Sequence, residues 1–230
     1  MRCLALTAVI PLFLVGLAPA HAADAPLEID QSIEVGAWAS YHATVEAADD
    51  EIPIEVTIRC VDQTYDSGEE AVWIEIESTD TNSGTRLEIF KILVPVSRLR
   101  EGPFGVDDIR KAWVLRRNQQ QPVRVEQADL QGLQLLFPGR LTEGVEEHEE
   151  KEAVAWQRGT LDCRVVTIRR TTQLLNQQAT VKQTLLLHES VPLQLAGFRF
   201  DIALENANVK VHGRLTDLGT GAEAALPNAQ

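Results

Sequence analysis

Ile54-Glu55-Val56-Thr57-Ile58-Arg59-Cys60 is the stretch on which the fold is decided. Apolar and polar side chains alternate there without a break, the period of a strand with one buried and one wet face. Working outward, Asp66-Ser67-Gly68 supplies a turn, and the next run sets Val72, Ile74 and Ile76 against Trp73, Glu75 and Glu77. Asn82-Ser83-Gly84 turns the chain again into Thr85–Val94, where Leu87 and Ile89 oppose Glu88 and Phe90. Tight polar turns between alternating runs predict an antiparallel meander. Trp38 to Glu46, entered through Val35-Gly36, reads as a strand preceding it.

The middle of the chain breaks this rhythm at Pro95 and at Gly102-Pro103. Asp107-Asp108 then precedes Ile109, Ala112, Trp113 and Arg116, spaced three and four apart. Acidic residues at the start and Arg116-Arg117 at the end suit a helix dipole, so a short helix is expected over Asp107–Arg117. A short strand is expected at Pro122–Val125, while Leu130–Phe137 fits either a helix or a buried strand. The last third returns to strands: Glu149–Trp156, Thr160–Arg170, Thr180–His188, Gly197–Leu204 and Val209–Leu218. In the Thr160–Arg170 run, Leu161, Cys163, Val165 and Thr167 share one face. The Ala-, Gly- and Pro-containing tail Gly219–Gln230 is expected to fray as a disordered tail. About ten strands and one or two short helices predict a mainly β domain. It is either one curved antiparallel sheet or a β-sandwich.

The first 22 residues have another character. Met1-Arg2 is a short positive start, Leu4 to Leu17 is almost wholly apolar, and Ala20-His21-Ala22 gives a small-x-small cleavage site. The apolar core is shorter than the roughly 20 residues a bilayer span needs, so the pattern reads as a signal peptide. Cys3 precedes that core and is not placed as a lipidated cysteine. The expected product is a soluble exported protein beginning near Ala23, periplasmic or extracellular, with one domain over residues 23–218. The chain carries a net charge of −13, and every Asp and Glu lies beyond the leader. Such an acidic balance opposes sequence-independent binding to nucleic acid or to anionic lipid surfaces. Cys60 and Cys163 remain after cleavage; an oxidising compartment permits a disulfide between them, and each also suits an ordinary core position.

One resemblance spans most of the mature chain through scattered positions. It rests on Val35-Gly36-Ala37-Trp38-Ala39-Ser40-Tyr41, Gly159-Thr160-Leu161-Asp162-Cys163, Glu189-Ser190-Val191-Pro192-Leu193 and Leu215-Thr216-Asp217-Leu218-Gly219. This order resembles uncharacterised exported bacterial β proteins frequent in planctomycetes. The resemblance implies an open half-barrel similar to periplasmic lipoprotein carriers of the LolA type, which shelter an acyl chain. One departure is the turn Pro192-Leu193-Gln194-Leu195-Ala196-Gly197, which carries an insertion relative to the class.

For chemistry the sequence offers little. Glu146-Glu147-His148-Glu149-Glu150 is the densest ionisable cluster, but the two-histidine metalloprotease spacing is missing and alternation lets at most Glu146, His148 and Glu150 converge. A solvated acidic strand edge is the plainer reading. His188 and Ser190 lie two apart on one strand face without a Gly-x-Ser-x-Gly elbow. No catalytic residue, metal site or cofactor is expected. Trp38, Trp73, Phe90, Trp113, Phe198 and Phe200 are candidate walls of a hydrophobic groove, although filling an ordinary β core is the plainer reading for any one of them. In the groove reading, Ile109 and Trp113 of the expected helix pack over the concave side as a lid. The functional expectation is a non-enzymatic exported protein binding a lipid, a lipidated partner or another hydrophobic ligand. A cell-envelope interaction module is the second reading and a hydrolase the third.

Overall fold

The alternation around Ile58 belongs to a 17-residue strand, β2 (Asp50–Asp66). The computed structural model describes residues 33–48, 50–100, 104–126, 130, 133, 137, 144–174 and 177–227. The leader therefore lies outside the described residues, as does most of the ambiguous Leu130–Phe137 run. β2 sits between β1 (Trp38–Ala47) and β3 (Glu69–Asp80), and β4 (Thr85–Pro95) follows β3. The β2–β3 hairpin turns on Ser67-Gly68, whose φ angles are 53° and 86°. Two positive φ values in a two-residue loop make the turn that matches strand twist. At the next turn the Asp80 carboxylate accepts the Asn82 N–H at 2.8 Å.

After the five-residue helix α1 (Val96–Arg100) come β5 (Lys111–Arg116) and β6 (Val123–Arg124). The chain then builds β7 (Val145–Trp156), β8 (Gly159–Leu174), β9 (Gln177–Leu187), β10 (Leu195–Ala203) and β11 (Asn208–Gly219). All eleven join one antiparallel sheet in the order β6-β5-β4-β3-β2-β1-β11-β10-β9-β8-β7. Sheet neighbours are sequence neighbours except at β1–β11, so the fold is a long meander left open between β6 and β7. The mainly β, open-sheet expectation is what the structure shows. The sheet also rolls: β7 touches β11 although three strands separate them in the order. Glu152 of β7 reaches both Arg199 and Arg214, on β10 and β11.

The helix expected over Asp107–Arg117 does not form. Asp107 and Asp108 close a 3₁₀ turn at Val106–Asp108, where the Asp108 carboxylate accepts the Gly105 N–H at 3.0 Å. The chain then extends, and β5 pairs with β4 through Phe90↔Val114 and Ile92↔Ala112. A free ladder edge on β4 and the alternation Ala112, Val114 against Trp113, Leu115 outweigh weak local helix preference.

The tail does not fray over its described part. Ala222 N–H donates to the Gly36 carbonyl at 2.8 Å, and Leu226 is 3% exposed.

Candidate functional site

Register assigns each side chain of β1–β5 to one of two faces. The inner face carries Tyr41, Ala43, Val56, Ile58, Ile74, Ile76, Ile92 and Val114, all members of the main core. Packed into the same core are side chains of α1 and of the chain between α1 and β7. Leu99, Phe104, Val106, Ile109, Leu130, Leu133 and Phe137 are all buried in that same core. The Phe104 and Phe137 rings stack with centroids 4.3 Å apart. Sequence reasoning had not singled out Phe104, and the broken, Pro-containing segment between it and Phe137 hid the pairing.

Further along the inner face, Phe198 and Phe200 stack at 5.1 Å, and Phe198 meets Tyr41 at 5.9 Å. Gly213 lies opposite Phe198, and a Cβ there would come within 2.3 Å of the ring. The Tyr41 hydroxyl donates to the Leu195 carbonyl at 2.8 Å, and complete burial pushes its phenol up. Glu88 lies beyond Phe90 on β4 and pairs across to Arg116 of β5. Burial pushes its carboxyl up to about 7, against the opposing pull of Arg116.

Of the six aromatic groove candidates, the structure brings Phe90, Phe198 and Phe200 to the inner face. It places Trp38, Trp73 and Trp113 on the opposite, outer face. Trp38 pairs with Arg59, and Trp113 pairs with Lys91. Trp73 and Trp113 contact each other at 5.3 Å in a separate small cluster with Ala71 and Leu93. Trp113 is therefore not a lid over the concave side, because strand pleating points it away from Ala112 and Val114. The outer face also holds a buried ion pair that sequence reasoning missed: Lys91 Nζ lies 3.3 Å from Glu75 Oε1, with the two side chains 1% and 0% exposed.

Both ionisable candidates from the sequence border one open pocket of about 850 Å³, lined by residues including Glu147, His148, Glu149, Lys151, Asp162, Arg164, His188 and Glu189. Within it, β7 is an edge strand of the sheet, and most of its carboxylates are exposed. A register shift between His148 and Glu152 breaks the alternation that would have aligned Glu146, His148 and Glu150. His148 Nε2 instead meets the Thr167 hydroxyl at 2.9 Å, and Arg164 pairs with Glu147 at 3.2 Å. Among the described residues no group of three His, Cys, Asp or Glu side chains converges as a metal site.

His188 and Ser190 do meet, with Nδ1 and Oγ 2.8 Å apart. The Ser190 backbone N–H also donates to that Nδ1, at 3.2 Å. A ring nitrogen receiving two donors from the residue two positions on is a local turn contact. Among the described residues no carboxylate orients His188, as a nucleophile–base pair would need. The inserted turn after it places Leu193 and Gln194 both at φ 57°.

Cys60 and Cys163 are free thiols, so the permitted disulfide is not formed. They lie on β2 and β8, with four strands between them in the sheet order, and each is fully buried in the core. Burial first, then the charge of Asp62, pushes the Cys60 thiol up to about 12. Cys163 rises to about 11 through burial, with Glu152 and Asp162 adding to it. Among the described residues no helix is long and apolar enough to cross a membrane.

No protein-family model matches the chain, and no curated protein sequence matches it. Two solved structures are similar in outline. One is a candidate exported protein with a YmcC-like fold from Bacteroides fragilis, at 9% identity and TM-score 0.40, covering 81% of this chain and 97% of that one. The other is a candidate lipoprotein from Parabacteroides distasonis, at 12% identity and TM-score 0.42, covering 86% and 100%. Both come from Bacteroidetes, and neither is described as a carrier of the LolA type. Likeness at this level carries no functional argument.

Proposed function

We propose that this chain is an exported, non-enzymatic β protein that shelters a lipid, a lipidated partner or another hydrophobic ligand on the inner face of its sheet. The observation that carries the reading is the cover. An inner face of aliphatic and aromatic side chains packs against residues of α1 and of the chain leading to β7, among them Leu99, Phe104, Val106, Ile109 and Phe137. Burying one of its anchors, such as Phe104, contributes roughly 1.5–3 kcal/mol, so a ligand that replaces those contacts can displace the cover at modest net cost. The leader pattern of residues 1–22 supports export. The resemblance to open half-barrel carriers agrees with a sheltering role.

Native mass spectrometry after gentle purification, together with a fluorescent fatty-acid probe, tests this. Co-purifying lipid or saturable probe uptake is expected. A clean unliganded mass with no uptake refutes the sheltering role.

A further inference from the structure

Beyond the inner face, the geometry points to a second binding site. We infer that the outer face of β3–β4 is a peptide-binding site, occupied here by the chain's own C-terminal segment Ala224–Pro227. The Glu75 carboxylate accepts two consecutive backbone N–H groups, from Ala225 at 2.7 Å and Leu226 at 3.0 Å. The Lys91 ammonium donates to the carbonyl of that same Leu226 at 2.8 Å. One acceptor thus takes two consecutive N–H groups and one donor takes the C=O of the second, a set of contacts to the main chain of a segment that bends at Ala225-Leu226. Side-chain reading is confined to Leu226, which is buried, whereas Ala224 and Ala225 are exposed.

The chemistry of the clasp argues for recognition over mere packing. Glu75 and Lys91 are both buried, Arg59 lies 3.9 Å from Glu75, and Lys91 stands 5.7 Å above the Trp73 ring. Taking such charges out of water is expensive, and well-packed apolar residues in their place are often as stable or more so. Trp73 and Leu93 on the same face show that apolar side chains fit there. What a carboxylate and an ammonium add is the pairing of backbone polar groups on a strap that has no ladder of its own. The strap passes close to Gly36: Gly36 and Gly221 have left-handed φ of 89° and 85°, which favours glycine at each, and a Cβ on Gly36 would lie 3.2 Å from Gly221 N. The site therefore selects a bent segment whose main chain meets Glu75 and Lys91 and which carries one buried leucine, and the occupant it is built for is this chain's own tail.

A peptide-binding site should accept its segment in trans once the tethered copy is weakened. The full chain carrying Leu226→Ser is titrated with a fluorescein-labelled synthetic peptide of residues 220–230, followed by anisotropy. Saturable binding is expected, with affinity at least tenfold lower when Glu75→Gln is added, and with the unmutated chain binding at least tenfold more weakly because its own tail competes. If Leu226→Ser does not fold, Ala225→Pro takes its place, since it deletes one N–H donor at an exposed position. A folded tail variant that ignores the peptide overturns the inference. So does binding that is indifferent to Glu75→Gln, or equal binding by the unmutated chain. Lipid uptake on the inner face is read separately and does not enter this result.

Discussion

Glu88→Gln isolates a buried carboxyl whose ionisation burial opposes. Glu88 is 9% exposed, pairs with Arg116 across β4–β5, and is held near 7 instead of 4.5. Its folded pKa is raised, so the group favours the folded state below about 4.5, where it is protonated in both states. That contribution is lost as pH rises from about 4.5 through 7, because the unfolded chain ionises freely while the folded one resists. The difference between 4.5 and about 7 corresponds to roughly 3 kcal/mol, and relaxation around the charge brings the expected value to about 2–3 kcal/mol. Glutamine keeps the shape and a hydrogen-bonding head but carries no charge. At pH 8 the variant should therefore be about 2–3 kcal/mol more stable than the unmutated chain, or roughly 5–10 °C higher in Tm for a chain of this size. At pH 4 the two should coincide. Urea melts of both proteins at the two pH values measure this. A difference that is the same at pH 4 and pH 8, or a less stable variant at pH 8, would refute burial as the cause.

Two further outcomes follow from the face assignments. Trp113→Ala should lower stability by about 2–3 kcal/mol through lost contact with Trp73, and should leave fatty-acid probe uptake unchanged, because Trp113 lies on the outer face; a melt paired with an uptake titration checks both halves. Cys60 and Cys163, buried and raised to about 12 and about 11, should resist maleimide labelling of the native protein at pH 8 and label fully in denaturant, as read by intact mass.

The meander was legible because its strands keep one face apolar, and the turns Ser67-Gly68 and Asn82-Ser83-Gly84 carry residues that such turns need. β5 was not legible. Lys111-Ala112-Trp113-Val114-Leu115-Arg116 satisfies both a strand alternation and a three-and-four spacing, and only the unpaired edge of β4 decides between them. The same alternation should have divided the aromatic candidates. Trp73 stands between Val72 and Ile74, so a groove built on those two cannot include it. The tail was misread for another reason. Its composition is that of a fraying end, and the residues that hold it, Glu75 and Lys91, are roughly 150 and 135 positions away in sequence. No local pattern encodes such a contact. Of the polar candidates, His188 and Ser190 meet, but in the turn after β9 and not on a shared strand face, and β7 carries a bulge that no spacing rule anticipates.

The burial of β3 and β4 connects these findings. An antiparallel sheet with one wet face should alternate, yet Ala71–Ile76 are buried without interruption, as are Ile92–Pro95. Continuous burial means that both faces are covered here: the inner side lies in the main core with residues of the connection after α1, and the outer side combines the Trp73–Leu93 cluster with the tail contacts of Glu75 and Lys91. On the two proposals above, an apolar ligand replaces contacts of the first kind and a peptide replaces contacts of the second. The run Lys91-Ile92-Leu93-Val94 carries this division in sequence: Ile92 and Val94 lie in the main core, Leu93 in the outer cluster, and Lys91, on the side of Leu93, donates to the Leu226 carbonyl of the tail.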